Sequence, residues 1–295
     1  MNELFATLVK GLGNGSIYAL LAIGFVIIYK AMGVISFAQP AFMLVGATLV
    51  SYLVLDLNFY VAVLVALALT ALLGVAVERV ALRPMIGKPV FVVAIITLGV
   101  DIVVRTVTNV YIGLEIRQMG DPWGMKQTDV LGVAVDERHL ATFVTTMVVV
   151  AGLFAFFRYS RMGLAMRATS YDQEVALAQG VSVGWVFALS WAIAGALAGL
   201  AGVFLSTGVG LEQTLWVTAL KALPVIILGG LDSLGGAVVA GLSIGVVEAV
   251  VGSYGGDVAP FLGGDFFLVV PYLLMLLVLL VRPYGLFGTR QVERI

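Results

Sequence analysis

The chain has 295 residues, of which 61% are hydrophobic and only 11% are charged, and its mean hydropathy is +1.11. Soluble domains carry roughly 25% charged residues, so this composition excludes the soluble classes and indicates an integral membrane protein. The net charge of −1 says little about partners, because in a membrane protein the side on which a charge lies matters more than the total; lipid is an expected partner and nucleic acid is not.

Apolar runs of about 20 residues, the length that crosses a bilayer, recur along the whole chain. Only Lys10 accompanies the start of the first run and no small-residue cleavage site follows it, so we expect a retained helix and no signal peptide. The pattern predicts an all-α integral membrane protein with about nine transmembrane helices in one domain, 1–295, although eight or ten crossings are also compatible with it. The predicted spans are 8–29, 34–55, 59–77, 90–113, 140–157, 184–206, 214–231, 235–254 and 266–282.

Basic residues indicate the orientation, because cytoplasmic loops carry an excess of Lys and Arg. An odd number of crossings with the Arg-bearing tail inside puts ten of the 16 basic residues inside and four outside. The acidic 115–137 region then faces out. The predicted N-terminus is therefore outside and the C-terminus cytoplasmic. The inside residues are Lys30, Arg79, Arg83, Lys88, Arg158, Arg161, Arg167, Arg282, Arg290 and Arg294.

Four charged residues fall well inside predicted spans, away from their ends, where charges are expensive and either pair or line a pathway. Asp101 and Arg105 are four residues apart, which places them on one helix face and favours an ion pair. Lys221 and Glu248 lie on separate predicted helices, and packing, gating or a mutual salt bridge all remain possible for them.

The segment 158–183, RYSRMGLAMRATSYDQEVALAQGVSV, is polar and basic between two apolar runs. Ser160 or Gly163 can start a helix there and Gly180 can end it. An amphipathic helix with both signs of charge suits docking into a groove of a soluble protein. The alternative is an interfacial helix resting on lipid, which the acids Asp172 and Glu174 disfavour. The expected apolar face comprises Leu164, Ala168, Val175 and Ala178.

A weak internal repeat appears when the chain is shifted over itself by 184 residues, which gives seven identities in 36 positions. The spans that it pairs run in opposite directions, as in an inverted-topology repeat with a pathway between its halves. The halves cover approximately 8–113 and 184–282. Chance alignment of Gly-rich helices remains the alternative, since Gly-x3-Gly spacing is common in membrane helices. The identities pair Gly11 with Gly195, Gly15 with Gly199, Gly24 with Gly208, Ala38 with Ala222, Pro40 with Pro224, Leu44 with Leu228 and Gly46 with Gly230.

Several segments together resemble one known family, the permeases of branched-chain amino-acid ABC importers, and in particular their H-type subunit. The wider group includes ribose-type sugar permeases. The resemblance covers nearly the whole chain. The matching segments are GSIYALLAIGFVIIY at 15–29, the FA of SFAQPAFMLVGA at 36–47, ERVALRP at 78–84, TLG at 97–99, GLAMRATSYDQEVALAQGV at 163–181, GALAGLAGVF at 195–204, LKAL with LGG at 220–230 and GAVVAGLSIGVVE at 236–248.

This resemblance implies a single permease domain that works with an M-type permease, two ABC ATPase subunits and an extracytoplasmic solute-binding protein, in a bacterial cytoplasmic (inner) membrane. The chain has no G-x4-GK-[ST] loop, so ATP and Mg would bind the partner subunits and no cofactor is expected here. The segment 158–183 would carry the coupling helix. Its ATPase-coupling residues would be Gly163, Arg167, Ala168, Asp172, Glu174, Ala178 and Gly180.

Two departures from the family pattern bear on specificity. The chain reads SFAQP at 36–40, where the family typically reads NFAHG, and it has Pro224 where the family has a small residue. We interpret these changes as lining the pathway and adapting it to a solute that is not leucine-like, with neutral drift in helix kinks as the alternative. The candidate residues of the translocation path are Gln39, Pro40, Thr97, Asp101, Lys221, Pro224 and Glu248.

The expected function is import of a branched-chain or other hydrophobic amino acid, or a related small organic solute, by ATP-driven alternating access. One rival is an ion- or proton-coupled secondary transporter, motivated by Asp101, Glu248 and the repeat. A membrane-embedded enzyme is less favoured, because neither a metal cluster nor a Ser/His pair occurs at catalytic spacing and His139 is the only histidine. Whether the partner permease is another chain or a second copy stays open.

Overall fold

The computed structural model describes residues 2–85, 88–130, 132–258 and 263–289. These ranges contain twelve α-helices and one two-stranded hairpin, which confirms the all-α prediction. The helices are α1 Asn2–Met32, α2 Gln39–Leu53, α3 Phe59–Val77, α4 Val90–Ile112, α5 Glu137–Tyr159, α6 Arg161–Tyr171, α7 Gln173–Ala178, α8 Val183–Ser206, α9 Trp216–Leu220, α10 Ala222–Gly229, α11 Leu234–Val258 and α12 Val270–Val281.

Every predicted span is helical, but three of the nine are shorter than a full crossing. Six helices are long and apolar enough to cross a membrane, and the shorter apolar helices are Gln39–Leu53, Trp216–Gly229 and Val270–Val281. The second span is shortened because residues 33–38 leave the helical conformation and Pro40 lies in the first turn of α2, a position that tolerates its missing amide hydrogen. The seventh is divided at Lys221 into α9 and α10.

Two central helices, α1 and α8, are surrounded by the others. In the most apolar stretch of α1, 89% of the residues are buried, whereas in that of α4 only 17% are buried. Helices that are apolar all round belong in the interior of a bundle or against lipid. We therefore place α1 and α8 in the core and the outer faces of α3, α4 and α5 against lipid.

Glycine contacts bring α1 very close to α11. A Cβ built on Gly15 would lie 2.7 Å from the carbonyl oxygen of Gly241, and one on Gly245 would lie 2.3 Å from the Cα of Gly15. Lipid offers no hydrophobic drive for helices to associate, so close backbone packing is a main source of affinity between them. The α1–α11 pair is therefore a tightly fitted, antiparallel unit.

The same kind of contact joins α8 to α3. A Cβ on Gly195 would lie 2.6 Å from the carbonyl oxygen of Thr70, and one on Gly74 would lie 2.3 Å from that of Trp191. The 184-residue shift matches α1 with α8 and α3 with α11. The α1–α11 interface in one half of the repeat therefore corresponds to the α8–α3 interface in the other. The contacts of α2 with α4 and α8 likewise match those of α10 with α12 and α1. This correspondence supports the inverted repeat, while the boundaries of its halves stay predictions.

The two ends of the bundle differ in their connections. At one end, which we call the α6–α7 end, those two helices link α5 to α8. At the other, the hairpin end, strands β1 (Gln127–Val130) and β2 (Val133–Asp136) pair antiparallel between α4 and α5. A backbone bridge from Arg117 to Leu211 ties this end to the connection after α8.

We predict that Gly15→Ala destabilises the protein by about 1–3 kcal/mol, because the added methyl overlaps α11 backbone and forces the helices apart. Gly99→Ala is the matched control, since a Cβ at Gly99 meets nothing within 4 Å and Ala favours the helix. Thermal unfolding in detergent measures both. Equal stability of Gly15→Ala and wild type would show that the α1–α11 contact does not require glycine.

Candidate functional site

The segment predicted as one helix consists of two, α6 and α7, because Asp172 leaves the helical conformation with φ −159°. The Ser160 hydroxyl accepts a hydrogen bond from the Gly163 amide at 2.8 Å and caps the start of α6. The Asp172 carboxylate accepts hydrogen bonds from the amides of Glu174 and Val175 at 2.9 and 3.0 Å and caps the start of α7. Both are N-caps, which replace hydrogen bonds that the first turn of a helix lacks. Gly180, with φ +81°, follows the end of α7.

One side of α6 and α7 is fastened to the bundle. A Cβ on Gly163 would lie 2.5 Å from the Phe156 carbonyl oxygen, so only glycine lets α6 pack on the last turn of α5. The Arg167 guanidinium donates to the Phe157 carbonyl at 2.5 Å, and the Gln173 amide donates to the Ala31 carbonyl at 3.2 Å. These contacts fasten α6 and α7 to the ends of α5 and α1.

The opposite side exposes large apolar side chains. Tyr171 is 91% exposed, and Leu164, Val175 and Leu177 are also exposed, with Glu174 beside them. We call these five residues the α6–α7 surface. Of the face expected from the sequence, Leu164, Val175 and Ala178 are exposed, whereas Ala168 packs partly against the core. An apolar surface in a polar loop is typical of a protein-protein contact.

A cavity of about 690 Å³ lies beside this segment. Its walls come from the end of α1, the α6–α7 junction, the α10–α11 turn and the chain after α12, and include Lys30, Asp172, Asp232 and Tyr284. The Lys30 ammonium donates to the Asp232 carbonyl at 3.0 Å, and the Asp232 carboxylate accepts the Thr289 hydroxyl. These bonds hold the chain after α12 next to α1.

Thr97, Asp101 and Arg105 on α4 hold the start of α2. The Thr97 hydroxyl accepts a hydrogen bond from the Phe37 amide at 3.0 Å, and the Asp101 carboxylate lies close to the Ala41 amide in the first turn of α2. A carboxylate is favoured at a helix N-terminus. The Arg105 guanidinium forms the predicted ion pair with Asp101 at 3.2 Å and stacks 3.9 Å from the Trp216 ring on α9.

Lys221, Glu248 and Tyr18 form a second polar cluster, which links three elements. The Lys221 ammonium, between α9 and α10, pairs with one oxygen of the Glu248 carboxylate on α11. The Tyr18 hydroxyl on α1 donates to the other oxygen at 2.7 Å. Sequence reasoning missed Tyr18, and its only signal was a hydroxyl in an otherwise apolar stretch of helix.

Gln39, Pro40 and Pro224 are buried between helices and do not face an open path within the described residues. Gln39 is 0% exposed. It lies against Gly24 of α1, and neither its amide nitrogen nor its amide oxygen has a hydrogen-bond partner there. A role for these three residues in translocation stays a prediction.

The predicted path residues thus fall into two groups. Gln39, Pro40, Thr97 and Asp101 surround the start of α2, whereas Lys221, Pro224 and Glu248 surround the α9–α10 junction. Helix α9 lies between the two groups. Trp216 at its start stacks on Arg105, the partner of Asp101, and Lys221 follows its end. No group of three potential metal ligands occurs in the ranges that the structure describes.

Six spanning helices, short interrupted helices between them and a helical loop with an exposed apolar surface define a multi-pass membrane protein of the transport type. The family model for the permease component of the branched-chain amino acid transport system matches residues 7–279. The chain belongs to this family of branched-chain amino acid transport permeases.

Relatives match it over almost their whole length. The high-affinity branched-chain amino acid transport system permease protein BraD of Pseudomonas aeruginosa is 31% identical, over 98% of this chain and 97% of the relative. LivH of Salmonella typhimurium is 30% identical, over 97% and 96%. A probable LivH of Methanocaldococcus jannaschii is 28% identical, over 92% and 89%.

The fold is also similar to a solved structure, PsaBC from Streptococcus pneumoniae in complex with Fab. The TM-score is 0.51 at 14% sequence identity, over 93% of this chain and 91% of that one. At this identity the similarity concerns the fold alone.

We predict that Asp101 and Arg105 are energetically coupled. Asp101→Asn leaves the Arg105 charge unpaired at membrane depth, and Arg105→Gln does the same to Asp101. The double variant removes both charges, so it should be less destabilised than the sum of the single variants, with a coupling of about 1–3 kcal/mol. Thermal unfolding of wild type, the two single variants and the double variant gives the coupling energy. Additive effects would mean that the 3.2 Å contact contributes nothing to stability.

Proposed function

We propose that this chain is the permease subunit of an ATP-driven importer of branched-chain or other hydrophobic amino acids, or of a related small organic solute. The exposed α6–α7 surface carries the proposal, because Tyr171 and Leu177 lie in a polar loop and no other part of the described chain covers them, as is typical of a surface that binds a protein partner. Family membership and the names of BraD and LivH supply the solute class.

The proposed partners are those that membership of this family suggests. No phosphate-binding loop of the G-x4-GK-[ST] type occurs in the chain, so two ABC ATPase subunits would bind ATP and Mg. A second, M-type permease would complete the pathway, and a solute-binding protein would deliver the solute. The α6–α7 surface would dock on an ATPase, and α6 and α7 together would act as the coupling helix.

The α6–α7 end would face the cytoplasm and the hairpin end the outside, with the N-terminus outside and the C-terminus inside. Basic side chains support this orientation, because they gather at the helix ends and loops of the α6–α7 end. In the described ranges this end carries Lys30, Arg79, Arg83, Lys88, Arg158, Arg161, Arg167 and Arg282.

The contacts of α6 suggest how ATP hydrolysis would move the bundle. Closure of the ATPases would displace α6 and α7, and their bonds to Phe157 and Ala31 would pass the displacement to α5 and α1. Since α1 is fitted against α11 by glycine contacts, these two helices would move as one body. Alternating access would follow from the rocking of this body against the rest.

Uptake in proteoliposomes tests the proposal. The complex copurified with its ATPases should import leucine, isoleucine or valine only with ATP inside and binding protein outside. Uptake that persists without an ATPase and follows a proton or sodium gradient would instead identify a secondary transporter.

We predict that Leu177→Glu lowers ATPase copurification and uptake at least about tenfold, because a charge would then have to be buried in the docking contact. Leu114→Glu is the control, since Leu114 is the same residue type and is more exposed, at 99% against 57%, but lies beyond α4, towards the hairpin end. The control should retain its ATPases. Full copurification of Leu177→Glu would place the ATPase elsewhere.

A further inference from the structure

The Lys221–Glu248 pair differs from the Asp101–Arg105 pair in one respect that matters for transport. Asp101 and Arg105 are four residues apart on one helix, so they cannot separate while that helix stays folded. Lys221 lies between two short helices and Glu248 lies on α11. This second pair opens whenever the α9–α10 junction moves away from α11.

The junction is the part of this cluster that is able to move. Helices α9 and α10 have 5 and 8 residues and meet at Lys221. Pro224 has no amide hydrogen, so the Leu220 carbonyl lacks its usual partner four residues on. Glu248 and Tyr18, by contrast, belong to the glycine-fitted α1–α11 unit. Movement at this site therefore displaces the Lys221 ammonium from a fixed carboxylate.

Separation of the pair leaves two charges that need new partners, because unpaired charges at membrane depth are costly. Glu248 keeps one hydrogen bond, from the Tyr18 hydroxyl at 2.7 Å, and needs a cation. Lys221 needs an anion. A zwitterionic α-amino acid supplies an ammonium and a carboxylate on one carbon and adds no net charge, so it satisfies both groups together.

The surroundings suit such a ligand. The side chains of Lys221 and Glu248 are only 13% and 7% exposed, so the pair is almost enclosed while it is closed on itself. The Phe267 ring lies 5.9 Å from the Lys221 ammonium and packs over Gly252, one turn beyond Glu248. This aromatic wall can receive a hydrophobic side chain next to the charged groups.

We propose that Lys221 and Glu248, with Tyr18, form a recognition site for the carboxylate and ammonium of the transported amino acid, and that their mutual ion pair closes the site when it is empty. This assignment rests on the proposed function, and it names the chemical class that the pathway accepts.

The first test reverses the pair in the full transport complex. Lys221→Glu/Glu248→Lys keeps an ion pair between the same elements but exchanges its charges, so a purely structural pair would be restored. We expect an assembled complex that hydrolyses ATP and imports leucine at least about tenfold more slowly than wild type, because the carboxylate and ammonium would each meet a like charge. Import at the wild-type rate would overturn the assignment.

The second test uses wild type, in case the reversed variant does not assemble. The melting temperature of the complex, without binding protein, is measured alone and in the presence of leucine, 4-methylpentanoate or 3-methylbutylamine. The second compound lacks the ammonium group of leucine, and the third lacks its carboxylate. Leucine should raise the melting temperature and the two analogues should not. Equal shifts with an analogue, or no shift with leucine, would overturn the site.

Failure of the site and failure of the proposed function give different results. If wild type imports no amino acid with ATP and binding protein, the proposed function fails. If wild type imports leucine and the reversed variant does so equally well, only the recognition site fails.

Discussion

Backbone contact between α1 and α11 is the constraint on which the rest of the structure depends. Gly11, Gly15, Gly241 and Gly245 leave no room for a Cβ at this interface, and in lipid such close packing replaces the hydrophobic effect as the force between helices. The contact fixes Tyr18 relative to Glu248. It also joins the first half of the chain to the second, because α1 and α11 belong to different repeats.

The charged residues at membrane depth are organised around this rigid pair. Glu248 lies on the pair itself, whereas Lys221 and the Trp216 ring that stacks on Arg105 flank the five-residue helix α9. The Asp101–Arg105 and Lys221–Glu248 ion pairs therefore both meet α9 or the residue that follows it. A short helix between a fixed carboxylate and an arginine is well placed to change position without unfolding a long span.

Local patterns predicted much of this fold. Apolar runs located the spans, the four-residue spacing located the Asp101–Arg105 pair, and Ser160 and Gly180 marked the ends of the helical loop. The break at Asp172 is a local N-cap, which the sequence analysis missed. The burial of Gln39 and the contact of Tyr18 with Glu248, by contrast, depend on residues far away in the sequence. No local pattern encodes such contacts. The pathway residues remain predictions.

The length of α1 determines how the protein sits in bilayers of different thickness. Its 31 residues span about 46 Å, whereas a hydrocarbon core is about 30 Å thick. The surplus has to be taken up by tilt or by projection into the headgroups. The exposed first residues, Asn2 to Leu4, belong to this surplus, while the glycine contacts begin two turns later. A thicker or thinner membrane can thus be accommodated at the N-terminal tip of α1 without a change of register at the interface with α11.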